Sequence, residues 1–200
     1  MAAGQSARFR AAGGSEATKL VAKLDGKPIV RIVAETALAS RASPVVVVVV
    51  GYARNSVEAA LAGLDIGIAF NPEFASGLAS SLRVGLFALP PDAAGAVVLL
   101  GDMPRVQARL IDALIDSFLS REGALAAAPS LGGRRGNPVL LGRGLFEAAM
   151  RLTGDEGARR LIGALGASDL VEIAVSDAGA VFDVDTPGDL AARHSRADRR

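Results

Sequence analysis

Two hundred residues suit one domain at roughly 150 residues per domain, and 22 Lys plus Arg nearly balance 21 Asp plus Glu for a net charge of +1. That balance argues against a nucleic-acid-binding protein, which needs a basic excess to displace phosphate counterions. No cysteine and one histidine, His194, exclude a disulfide framework, thiolate catalysis, Cys-based zinc and multi-histidine metal sites, and make a Ser-His-Asp triad a poor reading.

Half of the residues are hydrophobic and 22% are charged, enough for a sizeable core. The longest purely apolar run, 45–50, is far short of the about 20 residues a membrane-spanning helix needs. The N-terminus has no basic stretch followed by an apolar one, so the expectation is a cytoplasmic protein without a membrane segment or signal peptide.

In chain order, the pattern predicts a helix over 29–39 and a strand over 45–50, where an unbroken valine run between Pro44 and Gly51 leaves no polar position. A strand with no polar face is covered on both sides, as in a parallel α/β sheet. A helix over 57–62 and a strand over 65–70, stopped by Asn71-Pro72, come next. A helix over 78–89 then places Leu78, Leu82, Leu86 and Leu89 on one stripe. A strand over 96–100 ends at Gly101-Asp102, and a second amphipathic helix covers 107–120. Weaker strands are expected at 125–128, 138–141, 170–175 and 180–182, with helices at 155–165 and 187–192. Thr186-Pro187-Gly188-Asp189 carries a helix start: a hydroxyl cap, proline in the first turn and an acid at the third position. The charged run 193–200 reads as a solvated tail after a single domain, 1–192. This alternation favours a three-layer α/β/α, Rossmann-like open sheet, mostly parallel, whose ligands bind beyond the carboxyl ends of the strands.

Five stretches sit where such a sheet binds ligands. Ala2-Ala3-Gly4-Gln5-Ser6-Ala7-Arg8-Phe9, followed by Lys19, offers small residues and amides for close approach to a phosphate and two cations to neutralise it. It is not a Walker loop, and a flexible basic terminus reads alike. Asp102, in Gly101-Asp102-Met103-Pro104, follows a buried strand and is a natural Mg²⁺ ligand, or a cap on the next helix. Asp183 and Asp185 share one side by the strand period of two and could join Asp102 on one cation, or cap a helix. Asn71, Gly77, Ser80 and Ser81 surround a helix start with free amides and hydroxyls, which a plain cap explains equally well. Arg134-Arg135-Gly136-Asn137-Pro138 and the segment from Gly154-Asp155 to Arg159-Arg160 suit an anionic second substrate or a solvated loop.

Taken together in this order, the stretches resemble the molybdenum-cofactor nucleotidyltransferases, the MobA-like NTP transferases, and most closely their cytidylyltransferase branch. The family's L-A-A-G-x-S-x-R opening, later lysine and G-x-P look like Ala2 to Phe9, Lys19 and Gly26-Lys27-Pro28. Its N-P…G-(M/L)-x-x-S-L, G-D-M-P, G-N-P-V-L, G-D-x-G-A-R and D-x-D-T-P-x-D-L elements look like the stretches at 71–85, 101–104, 136–140, 154–159 and 183–190.

The resemblance implies a nucleotide-diphospho-sugar transferase-like fold and transfer of CMP from CTP to a molybdopterin-type acceptor, releasing pyrophosphate. It implies that Ala2, Ala3, Gly4 and Ser6 cradle the phosphates, that Arg8 and Lys19 offset charge on the leaving pyrophosphate, and that Asp102 and Asp185 hold Mg²⁺, with Asp183 as the alternative ligand. Asn71, Gly77, Ser80 and Ser81 are expected at base and ribose; Asn137, Asp155 and Arg159 are expected at the acceptor. GTP in place of CTP, a sugar-phosphate acceptor, or nucleotide binding without turnover stay open, as does a protein partner such as a molybdoenzyme or its chaperone. Two departures stand out. The family's apolar first strand, which precedes A-A-G, is missing where the chain starts at Met1; a start assigned too late would explain this, and a strand truly absent would instead weaken the fold and the nucleotide loop. The run 10–18 also inserts small residues before Lys19.

Overall fold

The computed structural model describes residues 1–42, 45–155 and 157–191, so the expected tail at 193–200, with His194, lies outside the described residues. The chain opens with helix α1 (Ala7–Ala11), then a hairpin of β1 (Lys23–Leu24) and β2 (Lys27–Pro28) that leads directly into α2 (Ile29–Leu38). The hairpin turns on Asp25 and Gly26, whose φ values of 53° and 79° are the left-handed pair of a type I′ turn. The valines form β3 (Val47–Val50), α3 (Arg54–Leu61) crosses over, and β4 (Gly67–Phe70) returns parallel to β3, with Val47 opposite Gly67 and Val50 opposite Phe70.

Helix α4 (Leu78–Phe87) leads to β5 (Gly95–Val98), and α5 (Ala108–Leu119) leads to β6 (Ala126–Leu131). Gly132 and Gly133, at φ 56° and 81°, turn the chain back through β7 (Arg134–Arg135) and β8 (Val139–Gly142). Helices α6 (Phe146–Met150) and α7 (Gly157–Gly163), strand β9 (Leu170–Ala174) and helix α8 (Pro187–Ala191) complete the described chain. In this second sheet the order is β5-β8-β6-β7, with β9 paired to β6. The β6–β9 pair is parallel, whereas β8 runs antiparallel to both β5 and β6, so the sheet is mixed.

The strand expected at 180–182 is instead a 3₁₀ turn, Ala178–Val181. Asp177 accepts a hydrogen bond from Gly179 N at 2.8 Å, and this local cap overrides the weak β preference of three residues.

Strand alternation puts helices on both faces. Ala126, Ala128, Val139 and Leu141 pack under Leu82 and Leu86 of α4, while the alternate residues Ala127 and Leu140 pack under Leu114 of α5. Val48 and Val50 meet Val30 and Ala34 of α2 and Val57 of α3. These are the three layers the alternation predicts.

Between β3 and β5 the described residues place only Met1 and Ala2. Met1 N donates to Leu99 O at 2.6 Å, Gly101 N donates to Met1 O at 2.8 Å, and Ala2 N donates to Val49 O at 2.8 Å. Beside them lies an apolar cavity of about 550 Å³, walled by Val47, Val49 and Val98 on the strands and Leu82 and Leu86 of α4. The end of the expected first strand is thus represented by two residues that knit the two sheets together at their carboxyl ends. No helix among the described residues is long and apolar enough to cross a membrane.

Candidate active site

The N-terminal loop is shaped by Ser6, whose backbone is left-handed (φ 53°, ψ 36°) at the start of α1. Its hydroxyl shares a 2.8 Å hydrogen bond with Thr18 Oγ1 and accepts from Lys19 N at 3.2 Å. Thr18 is fully buried and caps the 3₁₀ turn Lys19–Val21 by accepting from Leu20 N. The inserted small residues therefore loop out, and the Ser6–Thr18 contact returns Lys19 to the N-terminal loop. Thr18 was not singled out in the sequence; a hydroxyl directly before the lysine was its only signal.

Lys19 meets two carboxylates from distant loops. Its Nζ lies 2.8 Å from Asp102 Oδ2 and 2.9 Å from Asp185 Oδ1, and Arg8 Nη1 takes the other Asp185 oxygen at 2.6 Å. Lys19 is 14% exposed and Arg8 82%, so water screens the arginine contact and leaves the lysine contacts strong. Burial opposes the charge on Lys19, but Asp102 and then Asp185 outweigh it and raise its pKa above the ordinary lysine value. Hydrogen bonding from Lys19, aided by Arg8, holds the Asp185 carboxyl below the usual aspartate range.

The backbone behind these groups is tied down. Val184 N donates to Asp102 O at 2.9 Å, joining the two acidic loops. Asp189 accepts from Asp185 N at 3.0 Å, Thr186 N at 2.7 Å and Thr186 Oγ1 at 2.9 Å. At the expected helix start the acid, Asp189, is the acceptor, and these bonds fix the turn that presents Asp185. Burial acts against the Asp189 charge, yet its three donors keep its pKa below the ordinary value. One carboxylate oxygen each from Asp102, Asp183 and Asp185 lies within 4.8 Å of the others. Three hard oxygens so placed fit a divalent cation such as Mg²⁺ or Mn²⁺. The expected pair is joined by its alternative.

A second wall comes from the loop before α4. Gly77 sits at φ 108°, ψ 177°, backbone that only glycine adopts easily. A Cβ there would stand 2.4 Å from the Gly154 carbonyl carbon and 2.8 Å from Asp155 Oδ1, and Ala79 N donates to Gly154 O at 3.0 Å. The Gly77 and Asp155 segments, expected to serve different ligands, therefore touch. Asn71 and Ser80, expected at base and ribose, are instead buried with their polar atoms engaged. Asn71 Nδ2 donates to Ser80 Oγ at 2.8 Å and Ser81 Oγ at 3.0 Å, its Oδ1 accepts from Glu73 N at 2.9 Å, and Ser80 Oγ donates to the carbonyls of Glu73 and Gly77. The amide and hydroxyls are consumed in bracing this loop.

Both walls enclose a cavity of about 600 Å³. Ala2, Ala3, Gly4, Ser6, Arg8 and Lys19 line one side; Gly77, Ser81, Asp102, Asp155 and Asp185 line the rest. Asn137 and Arg159, expected at the acceptor, do not line it. Asn137 N is used by Ala180 O at 2.7 Å, where a Cβ on the adjacent Gly136 would clash with the same carbonyl, and Arg159 is exposed on α7. Phe74 also lines the cavity, a residue that neither periodicity nor motif spacing marks out.

Comparison with known proteins bears on this geometry. The chain matches the MobA-like NTP transferase domain over residues 1–170. It is similar to Rv0371c of Mycobacterium tuberculosis H37Rv, with 27% identity and a TM-score of 0.76 over 96% of this chain and 94% of that one. A homolog of Rv0371c from Mycobacterium sp. strain JC1 is 30% identical, with a TM-score of 0.77 over 96% of this chain and 92% of that one. A manganese complex of Rv0371c gives a TM-score of 0.73 at 24% identity, over 96% of this chain and 93% of that one. Purine catabolism protein PucB of Bacillus subtilis (strain 168) is 37% identical over 95 residues, 46% of this chain and only 43% of PucB. With its family match, its fold and its acidic loops in agreement, the chain belongs to the MobA-like NTP transferases, a class of nucleotidyltransferases.

Proposed function

We propose that this nucleotidyltransferase moves CMP from CTP onto the terminal phosphate of a molybdopterin-type acceptor. The observation that supports this reading is the convergence of Lys19, Arg8, Asp102 and Asp185 beside the small-residue loop Ala2–Gly4 in one cavity. A phosphate oxygen of the acceptor attacks the α-phosphorus of CTP in line. The new oxygen–phosphorus bond forms as the bond from that phosphorus to the bridging oxygen breaks, and its electron pair leaves with pyrophosphate. The protein's part is positioning and charge neutralisation. Ala2, Ala3, Gly4 and Ser6 cradle the phosphates, Arg8 and Lys19 face the departing pyrophosphate, and Asp155 faces the acceptor. Asp102 and Asp185, with Asp183, would hold Mg²⁺, which supplies neutralisation of the developing phosphate charge. The manganese complex of Rv0371c is consistent with a divalent ion at such a site.

The experiment is thermal denaturation with Mg²⁺ and either CTP or GTP. A ligand at about a hundredfold its Kd stabilises by about 2.7 kcal/mol, raising Tm by roughly 5–10 °C for a chain of this size. A larger shift with CTP is expected; a larger shift with GTP overturns the cytidyl reading. Pyrophosphate release on adding the molybdopterin acceptor then separates this enzyme from one acting on a sugar phosphate and from a nucleotide binder without turnover.

A further inference from the structure

We propose that Phe74 is the platform on which the base of the bound nucleotide stacks. The inference rests on the nucleotide reading above and adds to it a binding residue.

Phe74 starts the 3₁₀ turn Phe74–Ser76 after β4 and folds back over the end of β3. A Cβ on Gly51, just past β3, would lie 2.6 Å from the Phe74 Cβ and 2.8 Å from the Ala3 Cβ. The base of the Phe74 side chain therefore abuts the loop Ala2–Gly4 on the side away from β5. The charged groups lie across that loop, because Asp102 follows β5. From β3 to β5 across Ala2 is two strand spacings, about 10 Å. That gap separates an apolar end of the cavity from its cationic and acidic end, as the base and the outer phosphates of a nucleotide are separated.

The ring is braced. Tyr52 meets it edge-on, with centroids 6.2 Å apart and planes at 63°. Tyr52 is itself held by Arg10, whose guanidinium lies 4.9 Å above its ring and donates to its hydroxyl. The loop that carries Phe74 is pinned by Glu73 N to Asn71 Oδ1 at 2.9 Å and by Ser76 N and Ser80 Oγ to Glu73 O at 2.9 and 3.0 Å. This gives the buried Asn71–Ser80 network a purpose: it holds an aromatic ring at the cavity wall. Of the two phenylalanines lining the cavity, Phe9 is 1% exposed, so Phe74 supplies the accessible aromatic surface. A half-buried neutral ring has nothing to offer a phosphate, whereas every nucleobase presents a π-face to it.

The test measures binding of CTP, GTP and inorganic tripolyphosphate, each with Mg²⁺, to the wild type and to Phe74→Ala, Phe74→Leu and Phe74→Tyr. Base–aromatic stacking corresponds to a loss of roughly 5- to 150-fold in affinity on removing the ring. Phe74→Ala and Phe74→Leu are expected to weaken the preferred nucleotide by about tenfold or more, with tripolyphosphate unchanged, and Phe74→Tyr is expected to bind like the wild type. Leucine keeps the apolar packing of the loop without a π-face, so it carries the test if the alanine variant fails to fold. The platform is overturned if Phe74→Leu binds nucleotide as tightly as the wild type, or if nucleotide and tripolyphosphate weaken equally. A wild-type protein that binds neither nucleotide overturns the transfer reading itself, a result distinct from both.

Discussion

Replacing Gly77 by alanine tests the contact that joins the two halves of the cavity wall. At φ 108° a side chain is strained by about 1–3 kcal/mol whatever the surrounding space. Here the space is also filled: the new methyl would lie 2.4 Å from the Gly154 carbonyl carbon and 2.5 Å from its oxygen, and backbone cannot swing aside as a flexible side chain can. Forcing a methyl into packed surroundings adds about 1–3 kcal/mol, for a total of about 2–6 kcal/mol. Gly154→Ala is the control, because Gly154 has φ 68° but no atom within 4 Å of the added methyl. It carries backbone strain alone, about 1–2 kcal/mol. Urea denaturation of both variants separates the terms. Gly77→Ala should be the less stable and should bind the acceptor more weakly, because Asp155, on the acceptor side, is pushed out of line. If the two variants unfold within about 0.5 kcal/mol of each other, the close approach of the Gly77 and Gly154 loops does not exist in solution.

Asp102→Asn should lower turnover by about a hundredfold or more while leaving the melting curve cooperative, since the Asp102 carbonyl still holds Val184 N; steady-state pyrophosphate release at near wild-type rate removes Asp102 from its role. Lys19→Met should destabilise most near neutral pH. Asp185 titrates lower in the folded chain than in the unfolded one, so its share of the stability is complete above the unfolded value and disappears as the pH falls through the folded one. Urea midpoints for wild type and Lys19→Met should therefore converge between pH 7 and pH 3, and a gap that stays constant refutes the pairing.

The features legible in the residues alone were local or ordered along the chain. The valine run at 45–50 announced a covered strand, and Val48, Val49 and Val50 are buried, although the strand begins only at Val47 and Val45 is exposed. The Thr186–Asp189 spacing specified a helix start, and the order of the motifs specified the family. Periodicity also marked α4 and α5 as amphipathic helices; which face of the sheet each covers came from the structure. The tertiary structure alone decided which of these parts meet. Lys19 reaches Asp102 and Asp185 only because a buried Thr18 fastens to Ser6 across the inserted stretch. Asp155 lines the cavity while Arg159, on the same segment, is exposed, and the Asn71 side chain is bonded to Ser80, Ser81 and Glu73. Phe74 owes its place at the cavity to the missing side chain of Gly51. Hydrophobic period and capping are properties of neighbours in sequence, whereas the convergence of carboxylates, lysine and ring follows from how the sheets close around Met1 and Ala2, and no local pattern encodes that closure.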